Sequence, residues 1–200
     1  METQLNGMRI AILAMDGFEQ IELTWPRDAL EESGAITRIV SVQRGTIQGV
    51  HHGQPGDRFE VDLSFDDAEA DDFDAVLLPG GEQNAGSLRQ VGPAQAFVTH
   101  MQESGKPIAV ICHGGWLLVS AGLVQGRTMT SWPTLEREIR DAGGNWVDQE
   151  VVVDGNMVSS RRPDDLPAFN ARLLELLSAR FRTSVRGTSD GKASSVGVDG

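Results

Sequence analysis

Short continuous apolar runs alternate with longer amphipathic segments through most of this chain. The runs predict buried strands at 9–14, 38–42, 75–78 and 108–111. Between them, residues 20–33 and 93–104 have helical periodicity, and a glycine, Gly34 or Gly105, follows each segment. Strands that alternate with helices predict an α/β fold, in which a mostly parallel sheet is covered by helices on both faces.

The second half of the chain continues this alternation. It predicts a strand at 128–131, a helix at 133–142, a hairpin at 147–160 and a last helix at 164–179. Residues 46–65 read as an excursion of shorter antiparallel strands joined through the turn-forming residues 53–56. The apolar pattern fades from Arg182 onward. We therefore expect one domain over 1–181, with its core at about 8–179, and a flexible, non-catalytic tail over 182–200.

Cys112 is the only cysteine, and it follows the apolar run 108–111 at the point where a helix is predicted to begin. A strand, a tight turn and a helix start would display a nucleophile, and the backbone N–H groups of such a turn favour a thiolate. A small buried apolar residue is the alternative. The adjacent His113 and the two glycines that follow it favour the reactive interpretation.

Two other predicted strands also end in unusual residues. In an open parallel sheet the working groups collect outside the carboxyl ends of the strands. The first strand is followed by Glu19, which would share a proton with Cys112 if it were partly buried there, or would simply be an acid in the first turn of the next helix. Gly80 and Gly81 follow the strand at 75–78 and would form either an oxyanion hole or a plain turn. Neither the dinucleotide nor the P-loop glycine spacing occurs, which argues against a phosphate cradle.

The charge and the cysteine content of the chain exclude several classes of partner and location. The formal net charge of −12 over 200 residues opposes binding to a phosphate backbone, so polymeric nucleic acid is not expected as a partner. A lone cysteine cannot form an internal disulfide, and neither a membrane span nor a signal peptide is visible. We expect a cytoplasmic protein with no metal or organic cofactor. The acidic run at 57–74 reads as a solvated face, and His51, His52 and His100 lack the spacing of a metal site.

Four segments in order resemble the DJ-1/PfpI superfamily, in particular its PfpI (intracellular protease I) branch. They are DGFEQIEL at 16–23, LLPGG at 77–81, GKPIAVICHG at 105–114 and DQEVVVDG at 148–155. The similarity spans about 9–177, and SSRRPDDLPAF at 159–169 resembles the bacterial general-stress members. The resemblance implies a flavodoxin-like sandwich related to class I glutamine amidotransferase domains, assembled as a homodimer or higher oligomer.

The resemblance also assigns roles within the site. Cys112 would be the nucleophile, Glu19 the acid that contacts its sulfur and His113 the neighbouring base. Gly81 and the His113 backbone would be the oxyanion donors. We also expect Gly80, Gly114 and Trp116 to contribute to oxyanion or substrate binding, with Trp116 and Trp132 lining a small pocket near the elbow. Trp25 and Trp146 are expected in packing or at a subunit interface.

Members of this superfamily are described with several chemistries. The leading hypothesis is a cofactor-independent stress-response enzyme that converts 2-oxoaldehydes such as methylglyoxal and glyoxal, or their early glycation adducts, to 2-hydroxy acids. Peptidase activity comes second, because residues 83–89 hold no carboxylate to orient the histidine from a neighbouring subunit and Glu82 lies earlier than the pattern expects. A redox-sensing or chaperone-like protein that uses Cys112 oxidation is the alternative of another class.

Overall fold

A computed structural model describes residues 5–190 of the chain, with side chains through residue 182. Its strands are β1 (Arg9–Leu13), β2 (Phe18–Glu19), β3 (Ile36–Ser41), β4 (Gly45–His51), β5 (Gln54–Val61), β6 (Leu63–Ser64), β7 (Ala75–Leu78), β8 (Ile108–Ile111), β9 (Thr128–Met129), β10 (Asn145–Trp146), β11 (Val151–Asp154) and β12 (Met157–Ser160). Its α-helices are α1 (Gln20–Glu32), α2 (Glu82–Leu88), α3 (Gly92–Glu103), α4 (Gly115–Ser120), α5 (Glu136–Asp141) and α6 (Leu166–Asp190).

The central sheet has seven strands in the order β11-β12-β8-β7-β1-β3-β6. All neighbours run parallel except β11, which pairs antiparallel with β12. Successive side chains of β1 enter opposite layers: Ile10 and Ile12 join the core beneath α1 and α6, whereas Ala11 and Leu13 join the core beneath α3, α4 and α5. Because both faces are buried, β1 is apolar without alternation, and the predicted α/β fold class is confirmed.

A second sheet, ordered β2-β4-β5, stands beside the carboxyl end of β1. The β4–β5 hairpin turns at His52 and Gly53, earlier than the predicted turn at 53–56, whose residues lie mostly within β5. His52 has a left-handed φ of 49°. The hairpin is held against the loop after β1, because the Gln48 N–H donates to the Asp16 carboxylate at 2.7 Å and the Gly17 N–H donates to the Gln48 carbonyl at 2.8 Å. It therefore forms one wall above the sheet edge.

Two helices, α2 and α6, differ from what the sequence predicts. Helix α2 was not predicted, because its sequence EQNAGSL is polar and contains a glycine. Helix α6 continues to Asp190, past the position at which the flexible tail was expected to begin. The remainder of that predicted tail, 191–200, lies outside the described residues. Within residues 5–190, no helix has the length and apolar character needed to cross a membrane.

One buried side chain joins the loops that follow β1 and β7. The amide of Asn84, which is 0% exposed, donates to the carbonyls of Pro79 and Gly80 at 3.1 and 2.9 Å. Its oxygen accepts from the Met15 N–H at 2.7 Å. Loss of the amide would remove these bonds from the Met15 N–H and the Pro79 carbonyl, whereas the Gly80 carbonyl would still accept the Glu19 N–H at 3.2 Å. Asn84 therefore fixes the spacing between two strand ends that border the site.

Replacing Asn84 by alanine is expected to lower the free energy of unfolding by about 2–4 kcal/mol, because buried polar groups left unsatisfied cost ~1–3 kcal/mol each. Urea denaturation measures this change. Asn145→Ala is the control, since Asn145 is exposed and its amide reaches only Thr128; it should change stability by less than about 0.5 kcal/mol. Equal losses in the two variants would contradict the assignment.

Candidate active site

The cysteine sits in a strained turn at the carboxyl end of β8. Cys112 has a left-handed φ of 59°, a conformation that costs a non-glycine residue free energy and that clusters at functional sites. A 3₁₀ turn, Cys112–Gly114, follows, and α4 begins directly after it. Gly114 is packed against the end of β7, because a Cβ there would lie 2.5 Å from the Leu78 carbonyl oxygen. The predicted elbow is therefore present, and Gly114 serves to pack it.

The sulfur is surrounded by backbone donors and by the carboxyl group of Glu22. The N–H groups of Gly81 and His113 face the Cys112 sulfur, and the Glu22 carboxyl group lies against it. Gly80 passes so close that a Cβ there would lie 2.6 Å from the Cys112 Cβ and would also strike the Glu22 Oε2. Only glycine fits at this approach. The Gly80 N–H donates to Glu22 Oε2 at 2.8 Å, so Gly80 supports the acid and does not line the cavity.

Glu22 is fully buried and holds its proton at neutral pH. Burial raises its pKa from 4.5 to about 8, with the nearby Glu19 charge adding to the shift, while the Gly80 N–H and the contact with Cys112 oppose it. Its second oxygen, Oε1, is buried and has no hydrogen-bond partner among the described residues. A protonated carboxyl group can donate to a sulfur or oxygen anion, which an ionised one cannot do.

Glu22 occupies the position that the sequence interpretation gave to Glu19. The Glu19 carboxylate accepts the His52 N–H at 3.1 Å and lines the cavity, but the sulfur is contacted by Glu22. Glu19 ends β2 and immediately precedes α1, whereas Glu22 lies one turn further along the helix and points into the protein. The assignment of the sulfur contact to Glu19 is therefore wrong, because the helix places the residue three positions later over the elbow.

The electrostatics of the thiol also differ from the expectation of a favoured thiolate. Burial raises the pKa of Cys112, and the charge that Glu22 gains when it ionises above about pH 8 raises it further, while the N–H groups of His113 and Gly81 lower it by less. Cys112 is 7% exposed. The resting form is therefore a thiol beside a protonated acid, and attack on a carbonyl requires a base.

His113 is placed to be that base. Its Nδ1 lies 3.3 Å from the Cys112 sulfur. Burial lowers the pKa of the imidazole, although the charge of Glu82 opposes this shift, so at neutral pH the ring is uncharged and able to accept a proton. Glu82 acts on His113 only through space, since no hydrogen bond between the two side chains occurs in the described part of the chain.

A cavity of about 140 Å³ opens over the sulfur. It is lined by Glu19, Glu22, His52, Gly81, Glu82, Cys112, His113, Trp132 and Pro163. No lysine or arginine lines it, and its volume is well below the roughly 300–1,000 Å³ of sites for drug-sized ligands. The cavity suits a small electrophile that carries no negative charge.

Several predicted contacts fall outside this cavity. Trp132 lines it, but Trp116 stands behind His113, with ring centroids 5.0 Å apart, and donates its indole N–H to Glu138. Trp116, Gly80 and Gly114 do not line this cavity but pack around it, and their expected part in oxyanion or substrate binding stays a prediction. Gly81 remains at the wall with its N–H toward the sulfur.

Two site residues were missed by sequence reasoning. Glu22 has a polar side chain on the buried face of α1, and that mismatch with the helical pattern is the signal that would have identified it. His52 was not among the predicted site residues, and the turn of the β4–β5 hairpin places it at the cavity. Among the described residues, no cluster of three His, Cys, Asp or Glu side chains is arranged to hold a metal ion.

Replacing Glu22 by glutamine should make stability less dependent on pH. Below pH 4.5 both folded and unfolded Glu22 are protonated, whereas between 4.5 and about 8 the folded state binds more protons. Stability of the parent should therefore fall, relative to Glu22→Gln, as pH rises through this window, by an amount on the order of a few kcal/mol. Guanidinium unfolding at pH 5 and pH 8 measures the difference, and a constant difference would contradict the buried, protonated acid.

A family model and individual relatives match the sequence of this chain. The model of the DJ-1/PfpI family matches residues 8–176. Deglycase TK1284 of Thermococcus kodakarensis is 45% identical over 170 residues, which cover 85% of this chain and 99% of that protein. The protein named "Putative cysteine protease YraA" of Bacillus subtilis is 38% identical over 170 residues, covering 84% of this chain and 98% of that protein.

Solved structures agree with the sequence matches. The crystal structure of a two-domain protein from Anabaena variabilis, which contains DJ-1/ThiJ/PfpI-like and ferritin-like domains, superposes with a TM-score of 0.80 at 29% identity. The superposition covers 85% of this chain and 48% of that longer chain. With the family model matched over most of its length and relatives above 40% identity, the chain belongs to the DJ-1/PfpI family.

Proposed function

We propose that this protein is a cysteine-dependent enzyme that converts 2-oxoaldehydes, or the early adducts they form on amines and thiols, to 2-hydroxy acids. The observation that carries the proposal is the surroundings of the Cys112 sulfur. A neutral imidazole, a protonated buried carboxyl group and two backbone N–H groups converge on it within a small cavity that no cation lines. These groups can catalyse addition of the thiol to a carbonyl carbon, followed by proton transfer between adjacent carbons.

In the first step the Cys112 sulfur attacks the aldehyde carbon. His113 Nδ1 takes the thiol proton as the carbon–sulfur bond forms, and the aldehyde oxygen becomes an alkoxide. The N–H groups of Gly81 and His113, which face the sulfur, lie where they can donate to this oxygen. The alkoxide takes a proton from the imidazolium or from Glu22, and the product is a hemithioacetal.

In the second step the hydrogen on the former aldehyde carbon moves to its neighbour. A base removes it as a proton, the adjacent ketone oxygen is protonated, and an enediol forms. Reprotonation at the second carbon leaves a thioester, so the first carbon has been oxidised and the second reduced with no external oxidant. Water then opens the thioester to the 2-hydroxy acid and restores the thiol. Glu22 and His113 are the proton carriers within reach.

An adduct on an amine enters the same path. The sulfur displaces the amine from the adduct carbon, the amine leaves with a proton, and the hemithioacetal that remains reacts as above. The amine is thereby repaired. The name of the Thermococcus relative, a deglycase, supports this form of the reaction for a chain so similar along its full length.

Peptide hydrolysis is the second candidate, and the observations that favour it are the Bacillus relative's name and the position of Glu82 at the cavity near His113. Against it stand the small volume of the cavity and the missing carboxylate contact to His113 among the described residues. Aldehyde chemistry therefore fits better.

The homodimer or higher oligomer and the cytoplasmic location stay predictions. Ile21 and Trp25, on the solvent side of α1, are 36% and 43% exposed and offer an apolar face for self-association. Light scattering of the purified protein would give the oligomeric state.

The purified protein incubated with methylglyoxal should form lactate, and Cys112→Ala should form it only at the uncatalysed rate. Removing the nucleophile removes the hemithioacetal through which both carbons react. Enzymatic lactate measurement checks both proteins. Equal background lactate from the two would overturn the proposal, and a peptide hydrolysis assay would then distinguish the second candidate.

The carboxylates at the cavity should slow reaction with anions. We expect iodoacetate to alkylate Cys112 more slowly than iodoacetamide, by a ratio roughly tenfold larger than for a small free thiol, because Glu19 and Glu82 line the cavity and no cation does. Mass spectrometry follows the modification. In Glu19→Gln and Glu82→Gln the ratio should move toward that of the free thiol, and an unchanged ratio in both would contradict this charge selection.

A further inference from the structure

Two indole rings pack against the His113 imidazole. The Trp116 and Trp132 centroids are 5.0 and 5.6 Å from it, with interplanar angles of 51° and 30°. Contacts of this geometry restrict the ring to a narrow range of orientations. The nitrogen that faces the sulfur is therefore held in place by the packing of the imidazole against two indoles.

Trp132 is anchored through its backbone, and Trp116 through its indole ring. The Trp132 backbone N–H donates to the Cys112 carbonyl at 3.2 Å, which ties this residue to the elbow. The Trp116 indole N–H donates to Glu138 Oε1 at 3.1 Å. Arg89 donates to Glu138 Oε2 at 2.8 Å, and its guanidinium lies 5.4 Å from the centroid of the Trp116 ring.

These contacts link three helices behind the site. Arg89 directly follows α2, Trp116 belongs to α4 and Glu138 to α5. Arg89 also donates to Ser120 Oγ at 2.9 Å, so its guanidinium is fixed at more than one point. The Arg89 side chain is only 20% exposed, and planar guanidinium groups held in this way lose little further freedom when they stack.

In a triad, a carboxylate hydrogen-bonded to the histidine sets its orientation. Among the described residues, no carboxylate makes that hydrogen bond to His113. We propose that Trp116 and Trp132 orient the His113 imidazole in place of a carboxylate, and that the Arg89–Glu138 ion pair is a positioning device that acts through Trp116. The inference rests on the proposed function only in taking His113 as the base for the Cys112 thiol.

The test is a double-mutant cycle on Glu138 and Trp116 in the full chain. Glu138→Gln keeps an acceptor for the indole N–H but removes the charge that pairs with Arg89. Trp116→Phe keeps an aromatic ring against His113 but removes the donor. Reaction of Cys112 with iodoacetamide at neutral pH is the first measurement, because it reports on thiol deprotonation and requires no knowledge of the substrate.

We expect each single variant to slow alkylation by roughly 3- to 10-fold, a fraction of what general base catalysis contributes. The double variant should be no slower than the slower single variant, because Glu138 acts through the Trp116 N–H. If methylglyoxal conversion is observed, kcat should fall by a similar factor with little change in KM. If Glu138 and Trp116 had only a structural role, the substitutions would lower thermal stability without lowering kcat selectively at a nearly constant KM.

Glu136→Gln is the matched control. Glu136 lies on the same helix, is 44% exposed like Glu138 and pairs with Arg140 as Glu138 pairs with Arg89. Its substitution should leave alkylation unchanged. The proposal is overturned if Glu138→Gln alkylates at the parental rate, if the two effects multiply in the double variant, or if Glu136→Gln is slowed as much. Because alkylation needs no substrate, these outcomes are independent of whether lactate is formed.

Discussion

The carboxyl group of Glu22 is enclosed at the point where the ends of β7 and β8 and the first turn of α1 meet. Its Oε2 accepts a hydrogen bond from the Gly80 N–H, and its side chain contacts the Cys112 sulfur. A charge would be costly in such a place, so the proton is retained. The neighbouring geometry follows from this enclosure: Gly80 has no room for a side chain, Cys112 must turn through a left-handed conformation, and Asn84 must hold the adjoining loops at a fixed spacing.

A protonated acid beside a buried thiol gives the site a neutral resting state. The N–H groups of Gly81 and His113 favour a thiolate, but burial outweighs them, so the negative charge develops when the sulfur attacks. Preorganised donors stabilise a developing charge without reorganising at the moment of reaction. The role of His113 follows, because its lowered pKa leaves it free to accept a proton and its ring packs against two indoles.

The β4–β5 hairpin and helices α2, α4 and α5 lie on opposite sides of this centre and support different residues of the site. The β4–β5 hairpin carries His52 to one side of the cavity, and its backbone N–H binds the Glu19 carboxylate. Helices α2, α4 and α5 meet on the far side, where Arg89 and Glu138 fix Trp116 behind the histidine. The result is a cavity that is small, lined by carboxylates and free of cations, which limits the chemistry to small electrophiles without negative charge.

The sequence by itself determined the buried parallel strands and the elbow at Cys112, because apolar runs and turn residues are local signals. It also determined the family, and it indicated that the site lies at the carboxyl ends of the strands. Only the tertiary structure decided which acid reaches the sulfur, since Glu19 and Glu22 differ by one helical turn whose facing is set by packing on the sheet. It also decided that His52 enters the cavity and Trp116 stays behind His113, because both placements depend on residues distant in the chain.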